Sequence, residues 1–254
     1  MPRENMVKSV GRALDIVYLI SLKKEGLGVT DIANQMDINK SSVYRLLSTL
    51  VQYGYIEQDT ETGKYKLGYT CLELSASLLE SIDLRAEAQP YLRKLEEETN
   101  EVIHLVVYDQ GEVVYIEKLE GNETLRMHSK VGKRAPMHCT SVGKAILAHL
   151  PPQAVIDILE RKGMPKHTEY TMIDKDAFIK ALIEVKKQGY ALDLEENEYD
   201  IRCIAVPIFD HARHVIGAVS VSGPSVRMTH DRLEQLQPLM IETGQHISKR
   251  LGLR

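Results

Sequence analysis

Residues 40–53, KSSVYRLLSTLVQY, constrain the fold more than any other stretch of this 254-residue chain. Placed on a helix at about 100° per residue, Val43, Leu46, Leu47 and Leu50 share one narrow face. The opposite face carries Ser41, Arg45, Ser48 and Gln52, flanked by Tyr44 and Thr49. Solvent alone would select Glu, Asp and Lys there, yet the face holds no carboxylate. Each of its side chains is a hydrogen-bonding group of a length that reaches a base edge or a phosphate. Arg addresses guanine bidentately, Gln addresses adenine, and Ser takes either base edges or phosphate oxygens.

The neighbouring elements fit that reading. Val10, Ala13, Leu14, Ile16, Val17 and Ile20 predict an amphipathic helix over 9–24, broken by Gly26 and Gly28. Thr30 is placed as the cap of a short helix DIANQM, with Asp31 in its first turn. Asp37-Ile38-Asn39 then makes a tight turn, Asn39 caps the next helix and Gly54 ends it. YIEQ and YKLG around the polar turn DTETGK form a hairpin by pattern. Two helices across a three-residue turn, followed by a hairpin, make a winged helix-turn-helix whose second helix enters the major groove of double-stranded DNA. The expected DNA-facing set is Thr30, Lys40, Ser41, Ser42, Tyr44, Arg45, Ser48, Thr49 and Gln52, with Lys64 and Lys66 on the wing. Charge adds little: residues 1–69 hold nine Lys and Arg against eight Asp and Glu, so binding must rest on local contacts and on pairing of subunits.

Residues 70–82, with Leu74, Leu78, Leu79 and Ile82, predict a connecting helix too apolar for a loose linker. Asp83 can cap a further helix through Glu98, which Pro90 is expected to kink or break. Beyond residue 100 the pattern changes. EVIHLVVYD and EVVYIEKLE flank Gln110-Gly111 as a hairpin, and LRMHSKV reads as a strand. The helix SVGKAIL and helices near 152–161 and 175–188 follow. The strands YALDLEE, IRCIAVPIF and HVIGAVSVSG and a last helix from His230 complete the series. Hairpin strands with helices grouped between them predict an antiparallel α+β domain. The expected division is 1–69 DNA-binding, 70–82 connecting and 83–254 ligand-binding.

HVIGAVSVSG alternates so that Ile216, Ala218, Ser220 and Ser222 share a face, and IRCIAVPIF offers Cys203 and Ala205 beside it. Ser141 and Val142 open a helix whose first N–H groups can meet an anion. The residues alone leave Ser220 and Ser222 equally readable as core or solvent hydroxyls. His138-Cys139 admits a nucleophile, and Cys139 with Cys203 admits a redox enzyme, although the first 69 residues would then have no purpose. His138, Cys139 and Cys203 have no metal-ligand motif, and three cysteines without a CxxC argue against zinc fingers or a disulfide framework. No catalytic residue, cofactor or metal is therefore expected. No apolar run nears the ~20 residues of a membrane span, and MPRENMVKSV has no apolar core of a secretory signal. No membrane partner and a cytoplasmic location are expected.

SVGRALDIVYLI and VTDIANQMDINKSSVYRLLSTLVQYGYIEQDTETGKYKLG resemble the N-terminal domain of the IclR family of bacterial transcription regulators. The likeness continues through LRAEAQPYLRKLEEETNEVIHL, VGKRAPMHCTSVGKAILA, GYALDLEENEYDIRCIAVPIFD and AVSVSGPSVRMT, over nearly the whole chain. It implies a GAF-like C-terminal effector domain, a dimer or dimer of dimers on a pseudo-palindromic operator, and repression as the expected sign of control. By motif position it implies an effector pocket of Met127, Ser141, Val142, Asp193, Ile201, Cys203, Ser220 and Ser222. The implied effector is a small organic acid. Hydroxyls and helix N–H groups suit a hydroxy, oxo or sugar acid, and two Phe and no Trp leave few partners for a flat aromatic one.

Overall fold

The computed structural model describes residues 7–121 and 129–254, the side chains of 79–81 aside. The chain divides into two compact units, Met1–Ile82 and Asp83–Arg254.

The first unit contains α1 (Lys8–Ser21), α2 (Val29–Met36), α3 (Lys40–Gln52), β1 (Ile56–Gln58), β2 (Tyr65–Leu67) and α4 (Tyr69–Ser81). Ile16, Ile20, Ile32, Val43, Leu47, Leu50, Ile56 and Tyr65 form its core, with Leu46 partly buried against it. The apolar stripe predicted for α3 is thus the stripe that packs. Asn39 caps α3 as expected, its side chain accepting from Ser42 N at 2.8 Å. Thr30 does not cap α2: the helix starts two residues earlier, with Gly28 as N-cap, and Thr30 lies inside the first turn. Val29 packs against the core, and its place there draws the helix start upstream. β1 and β2 pair antiparallel with Glu57 opposite Lys66. Asp59 orders their turn by accepting from Glu61 N, Thr62 N and Thr62 Oγ1.

The second unit opens with α5 (Leu84–Thr99), capped by Asp83 through Arg85 N at 2.9 Å. Pro90 lies within this one helix and does not divide it, because buried Ala88, Leu92 and Leu95 hold both sides of it on the same packed face. The strands are β3 (Val102–Asp109), β4 (Glu112–Leu119), β5 (Arg134–Pro136), β6 (Ala191–Leu194), β7 (Ile201–Phe209) and β8 (Val215–Pro224). They form one antiparallel sheet in the order β5-β4-β3-β8-β7-β6. Gln110 and Gly111, both at positive φ, make the two-residue β3–β4 turn that right-handed strand twist favours. Most of the strand expected at LRMHSKV lies outside the described residues.

Helices α6 (Ser141–Leu147), α7 (Pro152–Lys162) and α8 (Lys175–Gln188) supply a core with Val106, Ala205 and Ala218 from one sheet face. On the other face, α9 (His230–Arg250) packs so closely that a Cβ on Gly244 would stand 2.9 Å from Val206 Cγ2. A Cβ on Gly143 would stand 2.3 Å from the Met137 carbonyl oxygen, so glycine lets α6 lie directly on the turn before it.

Candidate DNA-reading helix and ligand cavity

On α3, Lys40, Ser41, Tyr44, Arg45, Ser48, Thr49 and Gln52 are exposed and Ser42 is half-buried. The three exposed Ser and Thr hydroxyls are already engaged. Ser41 Oγ donates to Asn39 Oδ1 at 2.9 Å, Ser48 Oγ to Tyr44 O at 2.9 Å, and Thr49 Oγ1 to Arg45 O at 3.0 Å. Such back-bonding leaves their lone pairs outward as acceptors. Donation from this face therefore falls to Arg45, Gln52, Lys40 and Tyr44. Thr30 is exposed at the start of α2, where backbone N–H groups remain unpaired by the helix.

The two wing lysines differ. Lys66, expected as a phosphate contact, is drawn back along the hairpin, its ammonium 2.9 Å from Asp59 Oδ2. The Lys66 ammonium and the turn N–H groups hold the Asp59 carboxyl far below its ordinary range. Lys66 is thus a brace of the wing; Lys64, at the turn, is half-buried.

In the second unit, sheet register brings the predicted pocket residues into one row. Asp193 lies opposite Cys203, Cys203 opposite Ser222, and Ser220 opposite both Ala205 and His104. Asp193, Cys203, Ser220 and Ser222, with Ser141, Val142 and Ile201, line a cavity of about 180 Å³. Met127 lies outside the described residues. The lining also holds His104, Tyr115, Ser129, Lys133, Arg134, Thr140 and Asn197, which the sequence reading missed. For His104 a signal existed: it is the one ionisable group within the apolar run VIHLVV. Ser129 and Asn197 sit in loops with no pattern to mark them.

His104 is 3% exposed and forms a 2.7 Å hydrogen bond between Nε2 and Ser129 Oγ. Its Nδ1 lies 3.4 Å from both Ser220 Oγ and Ser222 Oγ. Burial, with the Lys118 charge adding to it, brings its pKa down to about 3, so the ring is neutral at physiological pH. Burial raises Asp193 to about 7 against the opposing pull of Lys144, which ion-pairs with Glu196. Asp193 Oδ1 accepts from Glu196 N at 2.8 Å. Burial also pushes the Cys139 thiol up to about 12 and the Cys203 thiol higher still, with the Asp193 charge second in both. Protonated thiols of this kind are poor nucleophiles, which removes the ground for a Cys139/Cys203 redox enzyme.

Thr140 caps α6 through Gly143 N at 3.1 Å, and the N–H groups of Ser141 and Val142 precede the first intrahelical bond. Two cations, Lys133 and Arg134, line the cavity where it meets solvent; Arg134 pairs with Asp109 and Glu112. With Asp193 and Glu198 also in its lining, the cavity is a small polar space of mixed charge, well below the roughly 300–1,000 Å³ of drug-sized sites. Cys139 is not among its lining residues. Its sulfur clusters with ring nitrogens of His138 and His167, whereas the sequence reading had grouped His138 and Cys139 with Cys203.

Among the described residues no helix is long and apolar enough to cross a membrane. Residues 9–60 match the IclR helix-turn-helix domain, and residues 76–249 match the family described as bacterial transcriptional regulator IclR C-terminal. The chain is 37% identical to the HTH-type transcriptional regulator XynR of Escherichia coli over 97% of its own length and 98% of the relative's. It is 32% identical to the transcriptional repressor IclR of the same species, over 99% and 92%. The solved Agobacterium tumefaciens repressor BlcR superposes with a TM-score of 0.85 over 99% of this chain and 100% of that one. At 21% identity that is a likeness of fold alone.

Proposed function

The chain belongs to the IclR family of bacterial transcriptional regulators, and on that premise we propose that it represses transcription under the control of a small hydroxy, oxo or sugar acid. DNA binding follows from the family; the division of labour between residues is our reading. Arg45 and Gln52 read base edges, Tyr44 and the acceptor lone pairs of Ser48 and Thr49 support them, and Lys40, Ser41, Ser42, Thr30 and Lys64 fix the helix on phosphates. The carboxylate-free, exposed outer face of α3 is the observation that carries this assignment.

In the second unit, the N–H groups of Ser141 and Val142 and the hydroxyls of Ser220 and Ser222 receive the acid's carboxylate and oxo groups. Asp193 accepts from a ligand hydroxyl. Neutral His104 offers no charge and keeps the serine pair in place through Nδ1. Ile201 and Cys203 supply the apolar wall.

Operator symmetry calls for paired subunits. On α1, Val10, Leu14 and Tyr18 form an exposed stripe that Val7 and Leu22 extend beyond its ends, each at least 50% exposed. On α4, Leu72, Leu74 and Leu78 are similarly bare. Apolar rows of this length are suited to a second copy. A two-fold dimer then reads half-sites separated by about one helical turn, ~10 bp, or a multiple. Ligand and operator affect one another's affinity by the same factor.

The test is fluorescence anisotropy of the purified protein on its own upstream intergenic DNA and on scrambled DNA, across a salt series. Tight binding of the former alone, weakened by an organic acid added at saturation, is expected. Equal binding of both, with no motif recovered from a random-sequence pool, defeats the reading.

A further inference from the structure

The turn after β5 carries chemistry that the ligand cavity does not use. His138, Cys139 and His167 each present one ligating atom, and all three atoms lie within 4.8 Å of one another. Consecutive residues on a strand would point apart; residues 137–139 form a turn, which lets the side chains of His138 and Cys139 converge. We propose that these three residues bind a zinc ion.

The surroundings prepare the donors. His138 Nε2 lies 3.0 Å from the Pro165 carbonyl oxygen, which can only accept, so the ring carries its hydrogen there and keeps Nδ1 as the unprotonated nitrogen available to a metal. A ligating histidine anchored through its other nitrogen in this way is the usual outer-shell arrangement of zinc sites. The loop bearing His167 is tied down at several points. His167 N and Thr168 N both donate to Thr171 Oγ1, at 3.0 and 2.8 Å, and Thr171 Oγ1 donates to Glu196 O at 2.6 Å. Its backbone is therefore held while its exposed imidazole, 6.0 Å centroid to centroid from that of His138, can turn at the side-chain torsions.

Zinc bonds of ~2.0 Å to nitrogen and ~2.3 Å to sulfur put the tetrahedral donors of this set roughly 3.3–3.5 Å apart. Donor atoms within 4.8 Å of one another approach that spacing, and the exposed His167 imidazole is the one with room to move. Two imidazoles and one thiolate are a borderline-soft set that favours zinc over magnesium or calcium. A cavity of about 200 Å³ beside the two histidines, lined also by Pro165, Glu112 and Lys162, has room for a water as fourth ligand. Binding displaces the Cys139 proton to solvent. It also ends the thiol's 3.5 Å hydrogen bond to Asn197 Oδ1, a residue of the ligand cavity wall.

The test uses the tag-free full-length protein, stripped with chelator, loaded with zinc and desalted. Elemental analysis is expected to find about one zinc per chain, with a raised Tm for the loaded protein. His167→Ala, a change at an exposed side chain, should lower zinc affinity more than about a hundredfold while leaving the chelated protein's Tm and operator binding unchanged. Loading with cobalt(II) should give intense visible d–d bands and a near-ultraviolet thiolate band, the latter absent in Cys139→Ser. Zinc content of about a tenth per chain or less, equal zinc affinity in His167→Ala, or a thiolate band that survives Cys139→Ser would each overturn the proposal.

Discussion

On α3 the polar side chains of Lys40, Arg45 and Gln52 stand in solvent, whereas in the cavity His104, Asp193, Ser220 and Ser222 are each at most 3% exposed. Exposed groups cost the fold nothing and remain available to a partner that arrives from outside. Buried ones must be paired within the protein, and they are: His104 with Ser129, Asp193 with the turn N–H groups, and the serines with His104. The DNA-facing surface can therefore be varied residue by residue without loss of stability. In the cavity each of these buried polar groups also holds a neighbour in place, so a substitution there acts on the fold as well.

The sharpest break in that comparison comes from Asp193→Asn. The Asp193 pKa of about 7 lies above its ordinary 3.8, so the folded chain holds this proton more tightly than the unfolded chain; stability is lost as pH climbs from about 4 towards 7. His104 acts in the opposite sense. Its pKa of about 3 lies below 6.5, so stability is gained as pH rises from about 3 towards 6.5. The two slopes offset one another in the native chain across their shared window. Asp193→Asn should leave the His104 slope exposed, with urea midpoints rising through that window, and should gain on the order of 2–4 kcal/mol above neutrality. A profile parallel to the native one would mean that Asp193 is not held protonated.

Arg45→Ala should cost about 1–3 kcal/mol of specific operator binding and relax preference at one base position, with no change in Tm. Equal loss on scrambled DNA would move Arg45 from base to phosphate. Ser222→Ala should keep operator affinity without ligand, and reduce the ligand's effect by about 1 kcal/mol in a titration of the preformed complex. An undiminished response would remove Ser222 from the ligand contacts. Lys66→Met should change operator affinity by less than about 0.5 kcal/mol, with little change in salt dependence, because Asp59 already holds the ammonium. A fall of about 0.9 in the salt slope would restore Lys66 as a phosphate contact.

What could be read from sequence follows the same divide. Period and punctuation located α8 at Lys175–Gln188, the Asn39 cap and the Gln110-Gly111 hairpin, because each depends on neighbouring residues. The alternation of β7 and β8 placed Cys203, Ser220 and Ser222 on their shared face and motif position pointed to Asp193, although register alone brought His104 beside them. His104 was overlooked since one histidine in an apolar strand reads as core packing, and its role rests on residues 25 and 116 positions away. Thr30 and Pro90 misled for another reason: local preference for caps and breaks gave way to the packing of Val29 in α2 and of Leu92 and Leu95 in α5. Lys66 looked available because its partner, Asp59, lies across a turn. His167 had no neighbour in sequence to suggest its cluster.

The β3–β8 seam has a consequence for how the molecule comes into being. It joins residues 102–107 to residues 217–222, and neither half of the sheet contains a whole ligand cavity. Contacts so distant along the chain form late, after the entropy of closing the intervening loop has been overcome. During synthesis the helix-turn-helix has all its core residues long before β8 leaves the ribosome. Each new molecule thus completes its helix-turn-helix while half of its cavity wall has yet to be made.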